Sequence, residues 1–177
     1  MIGGPPQDLS YKNEPTKTVI GNKNVFREGV TIHRGTLKDN GLTIIGNNNF
    51  IMAYCHFAHD SIVGNHVIMA NQSATTGHGQ IGNHVVIGGQ SGLAPKVRVG
   101  DYAFIGGASA IRRDLPPYMC AKEFSQVTGP NIVGLKRSGM NEEEVRVACD
   151  LYKILYLGNM TTEKAIAEIE RRFGDHH

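Results

Sequence analysis

The segment His56-Phe57-Ala58-His59-Asp60 concentrates two histidines and an aspartate in five residues, and Gly77-His78 follows His59-Asp60 at a spacing of eighteen. Imidazole titrates near neutral pH, and a neighbouring carboxylate orients it and raises its basicity. One reading is a general base, His59, supported by Asp60 and able to deprotonate a hydroxyl. Gly77 would offer an unobstructed backbone N–H to an oxyanion. A second reading takes the same histidines as surface residues of a repeating fold. A third is zinc, but His-x2-His with no cysteine beside it is sparse ligation, so the expectation is a site with no metal and no organic cofactor. The chain has no Ser/His/Asp nucleophile motif, glycine-rich phosphate loop or Walker sequence.

The elements that must position these residues are set by a period of six. Ile45, Ile51, Phe57, Val63, Met69, Thr75, Ile81, Ile87, Leu93, Val99, Ile105 and Ile111 are evenly spaced, and only Thr75 is polar. Gly46, Gly64, Gly82 and Gly100 stand eighteen apart, as do Gly88 and Gly106. Three hexads per turn give three flat faces and three corners, the pattern of a parallel β-helix built from hexapeptide repeats. No helical period of 3.6 explains it. Adjacent turns lie about 4.8 Å apart, so residues eighteen apart are stacked. His66, His84 and Tyr102 then form one corner ladder, read as structural, and Asp60, His78 and Lys96 form another with the composition for chemistry.

Ile20-Gly21, Phe26 and Ile32 are an earlier piece of the repeat. The step from Gly21 to Gly46 is twenty-five, eighteen plus seven, so a loop of about residues 34–43 is expected to leave one corner. After Ile111 the rhythm stops, and Asp114-Leu115-Pro116-Pro117-Tyr118 is expected to close the solenoid, since proline donates no ladder hydrogen bond. The expected division is residues 1–115 as β-helix and 116–177 as a connector and a small C-terminal α-helical domain. Asn141 reads as an N-cap with Glu142, Glu143 and Glu144 in the first turn. Val145, Ala148, Leu151, Tyr152 and Leu155 form an apolar helical stripe. Gly158-Asn159 stops that helix, and a second starts at Thr161 or Thr162 with Ala165, Ile166, Ile169 and Phe173 inward.

A length of 177 residues suits one domain with a small appendage, and 40% hydrophobic residues suffice for a core. The net charge of +2, with no basic run, argues against nucleic acid. Cys55, Cys120 and Cys149 are odd in number and form no CxxC, as expected of reduced thiols in a cytoplasmic protein. The first eight residues have no signal-peptide features, and no stretch reaches the roughly 20 apolar residues of a membrane span.

The chain resembles the UDP-N-acetylglucosamine O-acyltransferases, which begin lipid A synthesis in Gram-negative bacteria. The resemblance is carried by Pro6-Gln7-Asp8-Leu9, by Arg27 through Thr36, by Ala58-His59-Asp60, by Asp114 through Tyr118 and by Asn131-Ile132-Val133-Gly134-Leu135-Lys136-Arg137. It implies a left-handed, homotrimeric β-helix with its active site between subunits and a helical C-terminal domain. It further implies transfer of a 3-hydroxyacyl group from acyl carrier protein to the 3-hydroxyl of a UDP-amino-sugar. His59 matches the family's base, Asp60 its support and Gly77 the oxyanion donor. His56 and His78 match histidines of the same cleft. Asp8 matches an acid near the acyl donor's hydroxyl, Gly107 the position that sets acyl length, and Arg137 a basic residue near the nucleotide.

Family members carry further coils ahead of the position of Met1. Ala94-Pro95 replaces the usual His-Gln, Ser10 a lysine, Val133 a glutamate and Ser138 an arginine, and the connector lacks the usual Gly-Asn-His. These differences fall on donor and nucleotide contacts, while the base and its aspartate remain. The pattern suits an acyltransferase with altered contacts, or a scaffold of the same build that holds a different ligand.

Overall fold

The computed structural model describes residues 1–174. Residues at the sixfold slots form the second position of two-residue strands, pointing inward, while the first position points out. Three sheets of six, five and seven strands make the faces of the coil. The register follows the repeat: Ile45 pairs with Val63, Ile81 with Val99, and Phe57 with Thr75. The first coil pairs at the longer step, with Ile20 on Ile45, Phe26 on Ile51 and Ile32 on Phe57. The extra residues therefore leave the coil between Arg34 and Gly41, and the expected loop ends slightly sooner because Leu42 and Thr43 already pair with Lys17 and Thr18.

All twelve slots are buried, Thr75 included. Its hydroxyl accepts from the Ala58 N–H at 3.3 Å and bonds Ser61 Oγ at 3.0 Å. A buried hydroxyl needs such partners, and these tie the core to the corner that carries His59. A second inward column lies two residues before each apolar slot: Cys55, Ser61, Val67, Ser73, Val85, Ser91, Val97, Ala103 and Ser109 are buried. Its serines bond carbonyls of the preceding corner, as Ser61 does to Ala58 O at 2.8 Å and Ser73 to Ala70 O at 2.7 Å.

The recurrent glycines are not the left-handed residues of the corners. Those positions are held by Tyr54, Asp60, His66, Gln72, His78, His84, Gln90, Lys96, Tyr102 and Ala108, with φ between 54° and 64°. Hydrogen bonds between coils hold them there, for example His78 N–H to His59 O at 3.1 Å and Lys96 N–H to Gly77 O at 3.1 Å. The glycines are small because the coils touch: a Cβ on Gly46 would lie 2.5 Å from Gly64 O.

The prolines turn a corner rather than end the ladder. Met119–Lys122 pairs in parallel with Phe104–Ile105, and then antiparallel with Gln126–Pro130. The expected connector thus holds a hairpin and a short helix, α1 (Ile132–Arg137), capped by Asn131, whose amide also donates to Tyr102 O at 2.7 Å. Helix α2 (Glu142–Tyr152) has the expected cap in full: Asn141 accepts from Glu143 and Glu144 N–H while Glu144 bonds the Asn141 N–H. Asn141→Ala is expected to cost about 1 kcal/mol, read as a lower urea midpoint; an unchanged midpoint would show that packing alone holds the helix.

A π-helical turn at Lys153–Leu157 extends α2, and α3 (Thr162–Phe173) follows. The stripes are only partly covered. Ala165 is buried, but Ile166, expected inward, is 47% exposed, because α3 packs on the π-helical turn and not on the coil. No helix among the described residues is long and apolar enough to cross a membrane.

Candidate active site

Asp60 sits at a left-handed corner with its side chain fully buried. Thr36, in the loop that leaves the coil, donates to it twice: N–H to Oδ1 at 2.7 Å and hydroxyl to Oδ2 at 2.6 Å. The Asp60 N–H donates to Thr43 Oγ1 at 2.9 Å. A buried carboxylate is tolerable only with such donors. The last of them is His59, whose Nδ1 lies 2.8 Å from Oδ2. An ionised carboxylate only accepts, so Nδ1 carries the hydrogen and Nε2 is left with a free lone pair. The ring is 14% exposed, reachable yet held.

Gly77, stacked on His59, packs against the free edge of that ring: an added Cβ would lie 2.6 Å from Cε1 and 2.8 Å from Nε2. Its carbonyl accepts from Lys96, and among the described residues its N–H donates to no protein atom. His78 crosses the His59 ring edge-on, centroids 5.3 Å apart. Its Nε2 is 3.7 Å from Asp60 Oδ2 and its Nδ1 is 3.7 Å from Asp39 on the loop. The coil therefore assembles His59, Asp60, Gly77 and His78 at one corner, as the stacking rule implied. Thr36 was missed, although the twenty-five-residue step places Gly35-Thr36 directly beneath Asp60-Ser61.

His56 precedes this corner on the same face, its Nδ1 2.7 Å from Thr31 Oγ1, with buried His33 edge-on at 4.8 Å. Burial pushes both imidazoles below their ordinary value near 6.5, and neighbouring histidines push the same way. The folded chain thus binds fewer protons than the unfolded chain just below that value, so stability falls as pH falls through it. The urea midpoint is expected to drop between about pH 7.5 and 5.5, and less steeply in His56→Gln. A flat profile would refute the assignment.

Asp8 meets the loop from the other side. The Lys38 ammonium at 2.7 Å, helped by Ser10, holds its carboxyl well below the usual range. Lys38, Asp39, His78 and Lys96 line a pocket of about 410 Å³ beside the dyad. Arg137 and Gly107 are elsewhere. Arg137 lines a larger cleft, about 650 Å³, whose wall is the His66–His84–Tyr102 ladder, stacked at 4.7 and 4.5 Å. Tyr118 extends that ladder at 5.2 Å. Gly107 is exposed at a corner above Gly89, whose carbonyl would be 3.3 Å from an added Cβ. Among the exposed cations, Arg98 pairs with Asp114, Lys122 with Glu123, and Arg112 covers the Phe124 ring.

A buried carboxylate, an oriented imidazole and a free N–H above it form a proton-accepting site, and the comparisons agree on its family. Residues 42–77 match the model of bacterial transferase hexapeptide repeats, and residues 114–177 match that of UDP N-acetylglucosamine O-acyltransferase, domain 2. The chain is 51% identical to the acyl-(acyl-carrier-protein)–UDP-N-acetylglucosamine O-acyltransferase of Thermodesulfovibrio yellowstonii, over 96% of this chain and 66% of that one. It is 39% identical to the enzyme of the same name from Pseudomonas putida, over 99% and 68%. Structurally it superposes on LpxA from Acinetobacter baumannii with a TM-score of 0.93 at 40% identity, covering 98% of this chain and 68% of that one. The chain thus spans about two thirds of the length of these relatives. Its coil is the left-handed parallel β-helix of those structures, followed by C-terminal helices. With the identity spread over nearly the whole chain and the coil shared, this protein belongs to the UDP-N-acetylglucosamine O-acyltransferase family.

Proposed function

We propose that the protein moves a 3-hydroxyacyl group from acyl carrier protein to the 3-hydroxyl of UDP-N-acetylglucosamine or a related UDP-amino-sugar, the first step of lipid A synthesis. The observation that carries the reading is the 2.8 Å contact between His59 Nδ1 and the buried Asp60 carboxylate, which leaves Nε2 as acceptor. His59 Nε2 takes the sugar hydroxyl proton as its oxygen attacks the thioester carbonyl. The Gly77 N–H receives the developing oxyanion. Collapse breaks the carbon–sulfur bond, the imidazolium returns its proton to the departing thiolate, and the products are the sugar ester and the free carrier thiol. His56 and His78 would line the sugar, Asp8 the donor's hydroxyl, Arg137 the nucleotide, and Gly107 the end of the acyl channel.

Gly107 and Arg137 lie away from His59 within one chain, so a neighbouring copy would have to supply them. Val25, Phe50 and Phe104 on the outer face of the seven-stranded sheet are 45%, 36% and 40% exposed, and such an apolar face favours side-by-side packing. The assembly proposed on this basis is a homotrimer with intersubunit sites, and light scattering at one chain mass would refute it.

The deciding experiment incubates the protein with 3-hydroxyacyl carrier proteins of several lengths and UDP-N-acetylglucosamine, with mass spectrometry of the sugar. Acylated product is expected. No product with any donor, together with no binding of the nucleotide sugar, would mean that the scaffold serves another ligand, the reading favoured by exposed Val133 beside Arg137.

A further inference from the structure

Asp60 Oδ2 is approached by two imidazoles, His59 Nδ1 at 2.8 Å and His78 Nε2 at 3.7 Å. One ligand atom from each of the three residues falls within 4.8 Å of the others. Ligands of a tetrahedral zinc ion, each about 2.1 Å from the metal, stand about 3.4 Å apart, between the two measured separations. The far nitrogen of His78 faces the Asp39 carboxylate at 3.7 Å. A metal-binding histidine characteristically turns its other ring nitrogen to such a group, which fixes ring and tautomer. Asp60 is likewise fixed, by Thr36. An open pocket lies beside His78 on its Asp39 side. That pocket is also lined by Gln80, Lys96, Asp39 and a Lys38 already paired with Asp8.

We propose that His59, Asp60 and His78 form a reversible site for a zinc-class divalent ion, and that the ion silences the dyad. Two imidazoles with one carboxylate select borderline transition ions over magnesium or calcium, which require oxygen. Coordination through Nδ1 shifts the proton of the neutral His59 ring from Nδ1 to Nε2, so no lone pair is left at Nε2 to accept the substrate proton. The silencing rests on the acyltransfer reading above; the binding does not.

The test titrates Zn²⁺ calorimetrically into the EDTA-treated full chain and Co²⁺ under absorption spectroscopy. One ion per chain is expected at this site, with tetrahedral cobalt bands and no thiolate charge transfer, which separates it from Cys120 and Cys149. Mg²⁺ should give no heat. His78→Asn removes a ligand while keeping a residue type that tolerates the left-handed corner, and it should abolish this binding with the melting temperature kept. Asp39→Asn should weaken it about 10- to 100-fold. In the acyltransfer assay zinc should inhibit with half-effect at the calorimetric Kd, reversed by EDTA. No uptake by the wild type, or equal uptake by His78→Asn, overturns the site. Tight binding with undiminished turnover overturns the silencing. A chain without turnover on any substrate fails the acyltransfer reading, and the calorimetry still decides the site.

Discussion

Replacing His59 with alanine is expected to lower kcat for acyl transfer about 10²- to 10⁴-fold, the usual contribution of a positioned proton acceptor, or roughly 2.7–5.5 kcal/mol of barrier. KM for the nucleotide sugar should move little, because the lost interaction belongs to the transition state. Stability should fall by about 1–3 kcal/mol, because the buried Asp60 carboxylate loses one of its donors, and a urea midpoint separates this loss from the loss of turnover. Asp60→Asn sharpens the test. Asparagine keeps the shape and tolerates the left-handed φ of 59°, but one arm becomes a donor. A donor in the place of Oδ2 opposes the Nδ1–H of His59, the imidazole moves its proton to Nε2, and no lone pair faces the substrate. The loss should approach that of His59→Ala. If the histidines were only corner residues, both variants would retain turnover, and mass-spectrometric rates would show it directly.

The coil was legible because its selection is simple: one side chain per face points inward, so Ile45 through Ile111 had to be apolar or, at Thr75, internally bonded. The second inward column was hidden because it selects for volume near a corner, which Ser61, Val67 and Cys55 satisfy alike. The left-handed corner residues were hidden for a related reason. Hydrogen bonds between coils impose their left-handed backbone, so His78 or Tyr102 can stand there, and the glycines mark close approach instead. Past Ile111 the ladder runs on through Met119–Lys122 with no sixfold pattern to show it. At the site, His59 and Asp60 were visible as neighbours in sequence and Gly77 and His78 by stacking. Thr36 and Asp39 reach the corner only because seven extra residues fold back over it, and a threonine or aspartate in a polar loop carries no signal of that return. Gly107 and Arg137 are placed by resemblance alone, and one chain does not bring them to His59.

Gly77→Ala isolates position from composition, because every ionisable group of the site survives it. The glycine has an ordinary negative φ, so alanine adds no backbone strain, and the conflict is purely with the ring: the new methyl would stand 2.6 Å from His59 Cε1 and 2.8 Å from Nε2. The ring cannot yield freely without breaking its 2.8 Å bond to Asp60, which Thr36 in turn holds. Either the imidazole swings off the carboxylate or the methyl covers Nε2, and the substrate hydroxyl loses its acceptor in both cases. Misplacement of a catalytic group by about 1 Å costs on the order of 10²-fold, so kcat/KM should fall about a hundredfold or more. The melting temperature should change far less, since a partly exposed side chain moves rather than the backbone. Gly92→Ala is the matched control, with nothing within 4 Å of its added Cβ, and should melt as the wild type does. Full turnover in Gly77→Ala would mean that the sugar hydroxyl is deprotonated elsewhere, and that the close packing of Gly77 on His59 serves only the coil.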